Sequence, residues 1–514
     1  MSISLLLEMA VSADPDRVAV VSETTRYTTA ELNALADAGA GVINETGASS
    51  VAYIGMGGDM LPLLLFSAAR AGRPFAPLNY RLSGPALREL IGRLPQPLVV
   101  VDKEYLDLVG DAGGSARLDE GEAKLGPPHK PGDIGIGPID SATFCARART
   151  TTPEVQWPDP DDVAVVLFTS GTTSAPKAVE LTHNNLTSYI TQTVEFGSAG
   201  PEDAALICVP PYHIAGVGAA LSNLYAGRKS VYLRRFSPAE WIRLVKDEAV
   251  TTATVVPTML ERIVSELEAH PAPLPTLRNL AYGGSKVALP LVRRALDLLP
   301  DVGFVNAYGL TETSSTVAVL TPDDHRTAYA ATDEAVRKRL GSVGRPVPGI
   351  EVVIRDDEGR PVAAGEPGEL FLRGEQVSGT YTGMGSVLDA DGWFPTRDLA
   401  VLDDEGYLYI VGRSDDTIIR GGENIAPAEI EDVLVEHPQV REVAVVGAPD
   451  PEWGQIIVAC VVAAPGASPE PEALREYVRE QLRGSRTPDR IVFRSELPTT
   501  PTGKVLRREL LDDL

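Results

Sequence analysis

The chain carries 514 residues, 46 of them basic and 71 acidic, for a formal net charge of −25. That length exceeds what a single hydrophobic core fills, so about two to four domains or subdomains are expected. The acidic balance argues against a nucleic-acid or anionic-membrane surface, and leaves any anionic ligand to be held by donors placed locally.

Taken in chain order, Met1 to Met9 lacks the basic stretch of a signal peptide and suits a short amphipathic helix. The most apolar run, Leu61 to Ala69, is too short to span a bilayer and ends at Arg70. Leu87, Leu90, Ile91 and Leu94 recur at helical spacing. Residues 110–160 are rich in glycine, proline and charge and read as a long surface connection. Helix-like and strand-like segments alternate up to about residue 400, the signature of an α/β protein. Cys145, Cys208 and Cys460 are far apart and lack metal spacing, so reduced thiols and a cytoplasmic setting are expected. The six histidines form no HExxH pattern, which argues against a protein-held zinc ion.

Val163 to Phe168 is continuously apolar and β-branched, and reads as a buried strand. It runs into Thr169-Ser170-Gly171-Thr172-Thr173-Ser174-Ala175-Pro176-Lys177, which packs hydroxyls, a glycine and a lysine into one short loop. Such donors suit a polyphosphate, although a solvated turn accounts for the loop alone equally well. The Walker pattern is excluded, because no second glycine precedes Lys177.

This loop resembles the phosphate loop TSGTTGxPKGV of the adenylate-forming superfamily, which includes acyl- and aryl-CoA ligases, peptide-synthetase adenylation domains and luciferases. Ser174 and Ala178 stand where that family commonly has glycine. The resemblance extends over nearly the whole chain, with further motifs in family order, and is nearest to acyl-CoA synthetases of the fatty-acid–CoA ligase kind. It implies a large, multi-subdomain N-terminal α/β domain, residues 1–413, and a small mobile α+β domain, residues 414–514, hinged at Asp415. It also implies that Thr169, Ser170, Gly171, Thr172, Thr173 and Lys177 bind ATP, with Thr169 helping to hold Mg2+.

The later motifs carry their own chemistry. Gly72 to Leu87 is similar to the family's PLNxRL segment and is assigned packing. Pro210-Pro211-Tyr212-His213 resembles an element of CoA ligases that places His213 at the acyl pocket and acceptor tunnel, with Ile214 and Val217 following. No acid stands at that place, which disfavours an amino-acid substrate. Tyr282-Gly283-Gly284-Ser285 is a strand running into a glycine turn, where a flat ligand face can approach the backbone. The resemblance sets it between nucleotide and acyl pocket. Ala215, Gly216, Val217, Tyr282 and Gly284 together suggest an apolar acyl pocket with no charge for a second carboxylate. Asn306-Ala307-Tyr308-Gly309-Leu310-Thr311-Glu312 supplies an aromatic ring, a hydroxyl and a carboxylate. By resemblance, Tyr308 faces adenine, Thr311 the α-phosphate and Glu312 the metal.

In the C-terminal third, Trp393-Phe394-Pro395-Thr396-Arg397-Asp398-Leu399 departs from the family's WFRTGDL, with Pro395 for arginine and Arg397 for glycine. Asp398 is retained, and its implied role is to grip the ribose hydroxyls. Gly412-Arg413-Ser414-Asp415 implies a nucleotide contact at Arg413 and the hinge at Asp415, and Gly421 and Gly422 would line the thiol tunnel after rotation. Pro427 opens an amphipathic helix. The motif Pro501-Thr502-Gly503-Lys504 matches the family's catalytic-lysine loop, so that Lys504 would bridge the substrate carboxylate and the α-phosphate. The activity implied is an ATP- and Mg2+-dependent acid–CoA ligase working through an acyl-adenylate. Two rivals stand beside it: an adenylating enzyme with an amine or carrier-protein acceptor, and a nucleotide-responsive binding protein without turnover.

Overall fold

The computed structural model describes residues 1–23, 25–110, 138–169, 176–482, 484–500 and 504–511. Ser170, Gly171, Thr172 and Thr173 of the predicted phosphate loop, and Gly503 beside Lys504, lie outside the described residues.

Four sheets form among the described residues, and two of them build the large N-terminal body. In the nine-stranded sheet the strands Gly303–Leu310, Asn279–Gly283, Thr252–Val255, Ala204–Ile207, Lys229–Tyr232 and Val18–Ser22 run parallel, side by side. The eight-stranded sheet has a parallel centre, Phe75–Leu78, Ser50–Ile54 and Pro97–Val101. Next to it lies an antiparallel pair, Val163–Thr169 and Lys177–Thr182. Thr169 and Lys177 are register partners, so the predicted phosphate loop is the connection of a hairpin.

Helices Ile3–Ala13, Thr29–Thr46, Met60–Arg70, His183–Thr193 and Ile214–Ala226 share one buried core with both sheets. The apolar run 61–69 lies in helix Met60–Arg70, every residue of which is buried. A helix apolar all round belongs in a protein interior, and no helix among the described residues is long and apolar enough to cross a membrane. Arg70 at its end is fully buried yet satisfied by Asp37, by Glu8 at 2.7 Å and by the Asn33 side chain at 2.6 Å. Breaking such a group by removing one partner costs more than the pair contributes.

Helix His183–Thr193 starts in a reciprocal cap, Thr182 with Asn185. His183 is buried, its Nδ1 accepts from the Ile3 amide at 3.4 Å, and burial lowers its pKa to about 4. The folded value lies below the unfolded one of about 6.5, so unfolding takes up a proton between the two. The stabilising contribution is therefore complete above about pH 6.5 and is lost as pH falls toward 4, on the order of 2 kcal/mol. Thermal melts from pH 7 to pH 4.5 should show a falling Tm, and His183→Asn should flatten that slope. An identical slope in the variant would remove His183 as its source.

The segment 138–160 differs from its expected reading as a plain surface connection. A short strand, Ile139–Asp140, leads into helix Ser141–Ala148, capped by the Asp140 side chain at the amides of Ala142 and Thr143. Phe144 and Ala148 anchor it in the core. Two buried side chains are too few to give a periodic pattern against that composition.

Beyond the large body, Glu351–Arg355, Gly368–Arg373, Phe394–Leu402 and Leu408–Arg413 make a four-stranded antiparallel sheet. A 3-10 turn, Ser414–Asp416, follows at once. The chain then builds its last sheet around the long strands Val440–Asp450 and Gly454–Ala463, covered by helices Pro427–Val435 and Pro471–Gln481. Ile430, Leu434, Leu474 and Val478 pack beneath these helices in a core of their own. The architecture is thus a large mixed α/β body with several sheets and a small α+β domain. Lys286 with Asp432 at 2.6 Å and Arg293 with Glu436 at 3.5 Å join the two across exposed surface. Exposed pairs of this kind contribute about 1 kcal/mol or less each.

Candidate active site

A cavity of about 1440 Å3 opens between the ends of the parallel strands, the four-stranded sheet and the C-terminal domain. It gathers residues that are hundreds of positions apart in the chain. Thr169, Lys177, His213, Ile214, Tyr282, Gly283, Gly284, Ala307, Gly309, Thr311, Glu312, Arg413, Asp415 and Lys504 all line it.

The floor comes from strand ends. Gly283 leaves no room for a side chain, since an added Cβ would stand 2.2 Å from the Ala307 carbonyl oxygen. Gly284 has φ of +87°, a conformation that side chains disfavour. Together they keep the backbone bare where the cavity passes Tyr282. Asn306 does not face the space; its amide donates to the Ser342 carbonyl at 3.2 Å. Ser285 is likewise not among the lining residues. Val217 is fully buried in the core instead of lining the acyl end. The physical reason is helical phase: Ala215, Ala219 and Ser222 share the cavity face of helix Ile214–Ala226, and Val217 projects from its other side.

A polar cluster faces this floor. Asp398 is buried at 5% exposure, accepts from the Tyr308 hydroxyl, and pairs with Arg413 Nη1 at 3.0 Å. Burial pushes its pKa up, while Arg413, the Tyr308 hydroxyl and Lys504 pull it down. Arg413 Nε also holds Asp415 at 3.0 Å, so one guanidinium ties the buried carboxylate to the turn between the domains. Lys504 stands on a tight turn in which its amide donates to Thr500 Oγ1 at 3.0 Å.

Tyr381 is a member of the cluster that no motif announced. Its hydroxyl donates to Glu312 at 2.9 Å and its ring lies beneath Lys177, 5.3 Å from the ammonium. It thereby joins the hairpin that carries the phosphate loop to the carboxylate expected to hold a metal. Burial, with Glu312 next in weight, raises the Tyr381 pKa, which keeps the hydroxyl protonated and donating. Glu312 and the Thr169 hydroxyl are oxygen donors of the kind Mg2+ takes. No cluster of three acidic, histidine or cysteine side chains that could cage a metal exists among the described residues. The donor set therefore fits an ion whose shell is completed by phosphate oxygens and water.

Arg397 has φ of +65° at the place where the resembled family has glycine. Its side chain is 62% exposed and lies 3.7 Å from Glu369, and its carbonyl accepts from Ser414 Oγ at 3.2 Å. A left-handed backbone at a side-chain-bearing residue costs about 1–2 kcal/mol. Arg397→Gly should therefore leave Tm level or raised, with the KM for ATP changed less than about threefold. A larger rise in that KM would show that the guanidinium reaches the nucleotide.

His213 stands where the cavity approaches a second one. It is buried, its Nε2 has no partner among the described residues, and burial, with Arg81 next, lowers its pKa to about 4. The imidazole is thus neutral near pH 7. The neighbouring cavity, about 390 Å3, is lined by Pro210 and Pro211 just before His213 and by Arg81, Arg234, Arg235 and Arg262. Arg234 pairs with Asp102 at 2.7 Å and Arg235 with Glu104. Arg81 and Arg262 stack on Tyr80 and Phe236 and have no carboxylate partner among the described residues. Gly421 and Gly422 line neither cavity; the Gly421 amide donates to the Trp453 carbonyl at 2.8 Å.

The acyl end departs from the expected wholly apolar pocket. Arg228 lines it, together with Asn223, Ser222 and Thr252. No motif marks Arg228, because it follows a helix C-cap and reaches the cavity through the strand order of the sheet.

Fold and site together define an adenylate-forming enzyme, and the chain belongs to the AMP-binding enzyme family. The family pattern described as AMP-binding enzyme matches residues 7–382, and that of the AMP-binding enzyme C-terminal domain matches residues 429–504. The chain is 34% identical over 472 residues to the fatty acid–[acyl-carrier-protein] ligase ScoC of Streptomyces coeruleorubidus, covering 90% of this chain and 86% of that protein. Among solved structures, o-succinylbenzoate CoA synthetase (MenE) of Bacillus subtilis with its acyl-adenylate OSB-AMP superposes with a TM-score of 0.79 at 26% identity, covering 98% and 97% of the two chains. The same enzyme with ATP and magnesium ion gives 0.80 at 26% identity, covering 99% of both. The amide bond synthetase McbA of Marinactinospora thermotolerans gives 0.82 at 26% identity, again covering 99% of both. These relatives share adenylate formation and differ in acceptor.

Proposed function

We propose that this chain is an acid–thiol ligase that activates a carboxylic acid as its acyl-adenylate and transfers the acyl group to CoA. The observation that carries the first step is the single cavity in which Lys177, Lys504, Arg413, Thr311 and Glu312 converge around the Gly283–Gly284 floor. In a chain of net charge −25 this is a locally assembled set of donors, suited to a triphosphate.

In the proposed mechanism Lys177, Thr169 and the loop residues Ser170 to Thr173 hold the phosphates, and Asp398 grips the ribose. Gly283, Gly284, Ser285 and Asn306 to Gly309 form the bed of the nucleotide, with Tyr308 toward the adenine. Thr169 and Glu312 would hold Mg2+, which when bound offsets phosphate charge. A carboxylate oxygen of the acid then attacks the α-phosphorus in line. An O–P bond forms, the bridging P–O bond breaks, and pyrophosphate leaves. Thr311 and Lys504 supply donors where charge accumulates, and the rest of the acceleration is positioning. The acyl chain lies along Ile214, Tyr282 and Gly284, with His213 at its mouth.

For the second step, residues 414–514 turn about Asp415 as one domain against residues 1–413, withdrawing Lys504 and bringing Gly421 and Gly422 to the thiol's path. Hinges of this type are a few element-terminal residues, as Ser414–Asp416 is here. The thiol loses its proton, the new S–C bond forms, and AMP departs. Two guanidiniums without carboxylate partners, Arg81 and Arg262, beside Pro210 and Pro211 favour an acceptor that carries phosphates. CoA has them, and a free amine does not.

The test is pyrophosphate release with ATP and Mg2+ over a panel of fatty, aryl and alicyclic acids, with and without CoA. Turnover that requires CoA and yields an acyl-CoA supports the ligase. Release indifferent to CoA but raised by amines or an acyl carrier protein moves the second step to those acceptors. Nucleotide binding without release from any acid supports the binding-protein reading.

A further inference from the structure

The large cavity extends well past the nucleotide, and its far end is built for more than a methyl group. Its sheet wall is lined by small side chains on alternate residues: Thr252 and Thr254, then Ala281 and Gly283 on the next strand. Helix Ile214–Ala226 forms the opposite wall with Ala215, Ala219 and Ser222. Between these walls runs a narrow channel that leads from the Gly283–Gly284 turn back along the strands. Thr252 is the register partner of Asn279, and the strand from Asn279 to Gly283 spans roughly 13 Å at about 3.3 Å per residue.

At the remote end stands Arg228. It follows the C-cap Gly227, its amide donates to the Asn223 carbonyl at 2.8 Å, and it immediately precedes strand Lys229–Tyr232. Its side chain is half-buried and lines the cavity, yet its guanidinium makes no hydrogen bond or ion pair among the described residues. The nearest acid acting on it, Asp203, is already held by Arg278 at 3.1 Å and by the Gly200 amide at 2.8 Å. Burial lowers the Arg228 pKa, with Asp203 acting weakly against it. The other cations that line the cavity, Lys177, Arg397, Arg413 and Lys504, stand at the nucleotide end. A half-buried guanidinium without a counter-charge, at the closed end of a channel of small side chains, is a receptor for an anion.

We infer that the acid activated here carries a second carboxylate at the end remote from the reacting one, and that Arg228 receives it. This rests on the acyl-adenylate reading above and names the substrate class. The spacing between the glycine turn and Arg228 calls for an extended linker, so short diacids leave the guanidinium unpaired. Loss of a charge-assisted partner at a partly desolvated site discriminates strongly, because the buried polar group is then left unmatched.

The experiment uses the full chain and measures pyrophosphate release with α,ω-dicarboxylic acids of increasing length. Each is paired with the monocarboxylic acid of equal length that ends in a methyl group. The wild type should favour the diacid of fitting length by tenfold or more in kcat/KM. In Arg228→Met that preference should collapse by at least tenfold, and Arg228→Lys should restore part of it. A wild type that prefers the methyl-terminated acid at every length overturns the inference. So does an Arg228→Met variant that loses both members of a pair equally. Should Arg228→Met fail to fold, the wild-type ratio and Arg228→Lys still decide. Turnover of monocarboxylic acids alone removes this inference and leaves acid activation standing, whereas no release with either series removes both.

Discussion

Lys504→Ala should lower adenylation by about a hundredfold or more while leaving transfer from supplied acyl-adenylate within a few-fold of wild type. The first half of that expectation follows from charge. Two anions, the acid's carboxylate and the α-phosphate, must meet in the cavity, and the lining there offers few cations. Lys504 is exposed but its charge is felt at buried Asp398, which places it over the nucleotide end. An ammonium about 4 Å from a developing negative charge is worth roughly 4 kcal/mol at an effective dielectric of 20. Its removal therefore corresponds to the loss seen when a donor to a transition-state oxyanion is deleted. The second half follows from the proposed rotation about Asp415, which takes Lys504 away before the thiol enters. Single-turnover assays of each half-reaction separate the two. Equal losses in both would mean that Lys504 holds the domain arrangement and not the reacting charges.

Much of this site is legible in the sequence because phosphate chemistry concentrates unusual residue types into short runs. Lys177, Thr311, Glu312, Asp398 and Lys504 each sit in such a run, and each is on or beside the cavity. What the sequence hides is whatever depends on register between distant strands. Tyr381 meets Glu312 only because its strand pairs with the hairpin at Val179. Arg228 enters the acyl end only because strand Lys229–Tyr232 lies beside Ala204–Ile207 in the sheet. Neither residue has local company that would mark it. Val217 was expected at the pocket from its nearness to His213, whereas its position around the helix turns it into the core. Arg397 shows a third case: the departure from glycine is visible in the sequence, but only its φ of +65° reveals that the turn was kept and the strain accepted.

Asp398→Asn should lower kcat/KM for ATP by about a hundredfold or more, chiefly through KM, with Tm held or raised. The two halves have one cause. Asp398 is buried deeply enough that its carboxyl pKa is raised despite Arg413, the Tyr308 hydroxyl and Lys504 nearby. A group whose folded pKa lies above its unfolded value weakens the fold as pH rises through that range. Burying this charge thus works against folding near neutral pH, and the neutral isostere removes that penalty. Arg413 keeps Asp415 as a partner at 3.0 Å, and the Tyr308 hydroxyl can still donate to the amide oxygen, so no buried donor is orphaned. A nucleotide ribose gripped by this carboxylate, however, loses a charged acceptor for its hydroxyls. An interaction made equally in ground and transition states shows as KM, not kcat. Thermal melts and ATP titration kinetics on the one variant check both halves. Loss of activity with an equal fall in Tm would make Asp398 an organiser of the Tyr308–Arg413 contact. Loss of activity with Tm intact identifies a carboxylate kept charged and buried, against the fold's own interest, for the nucleotide it holds.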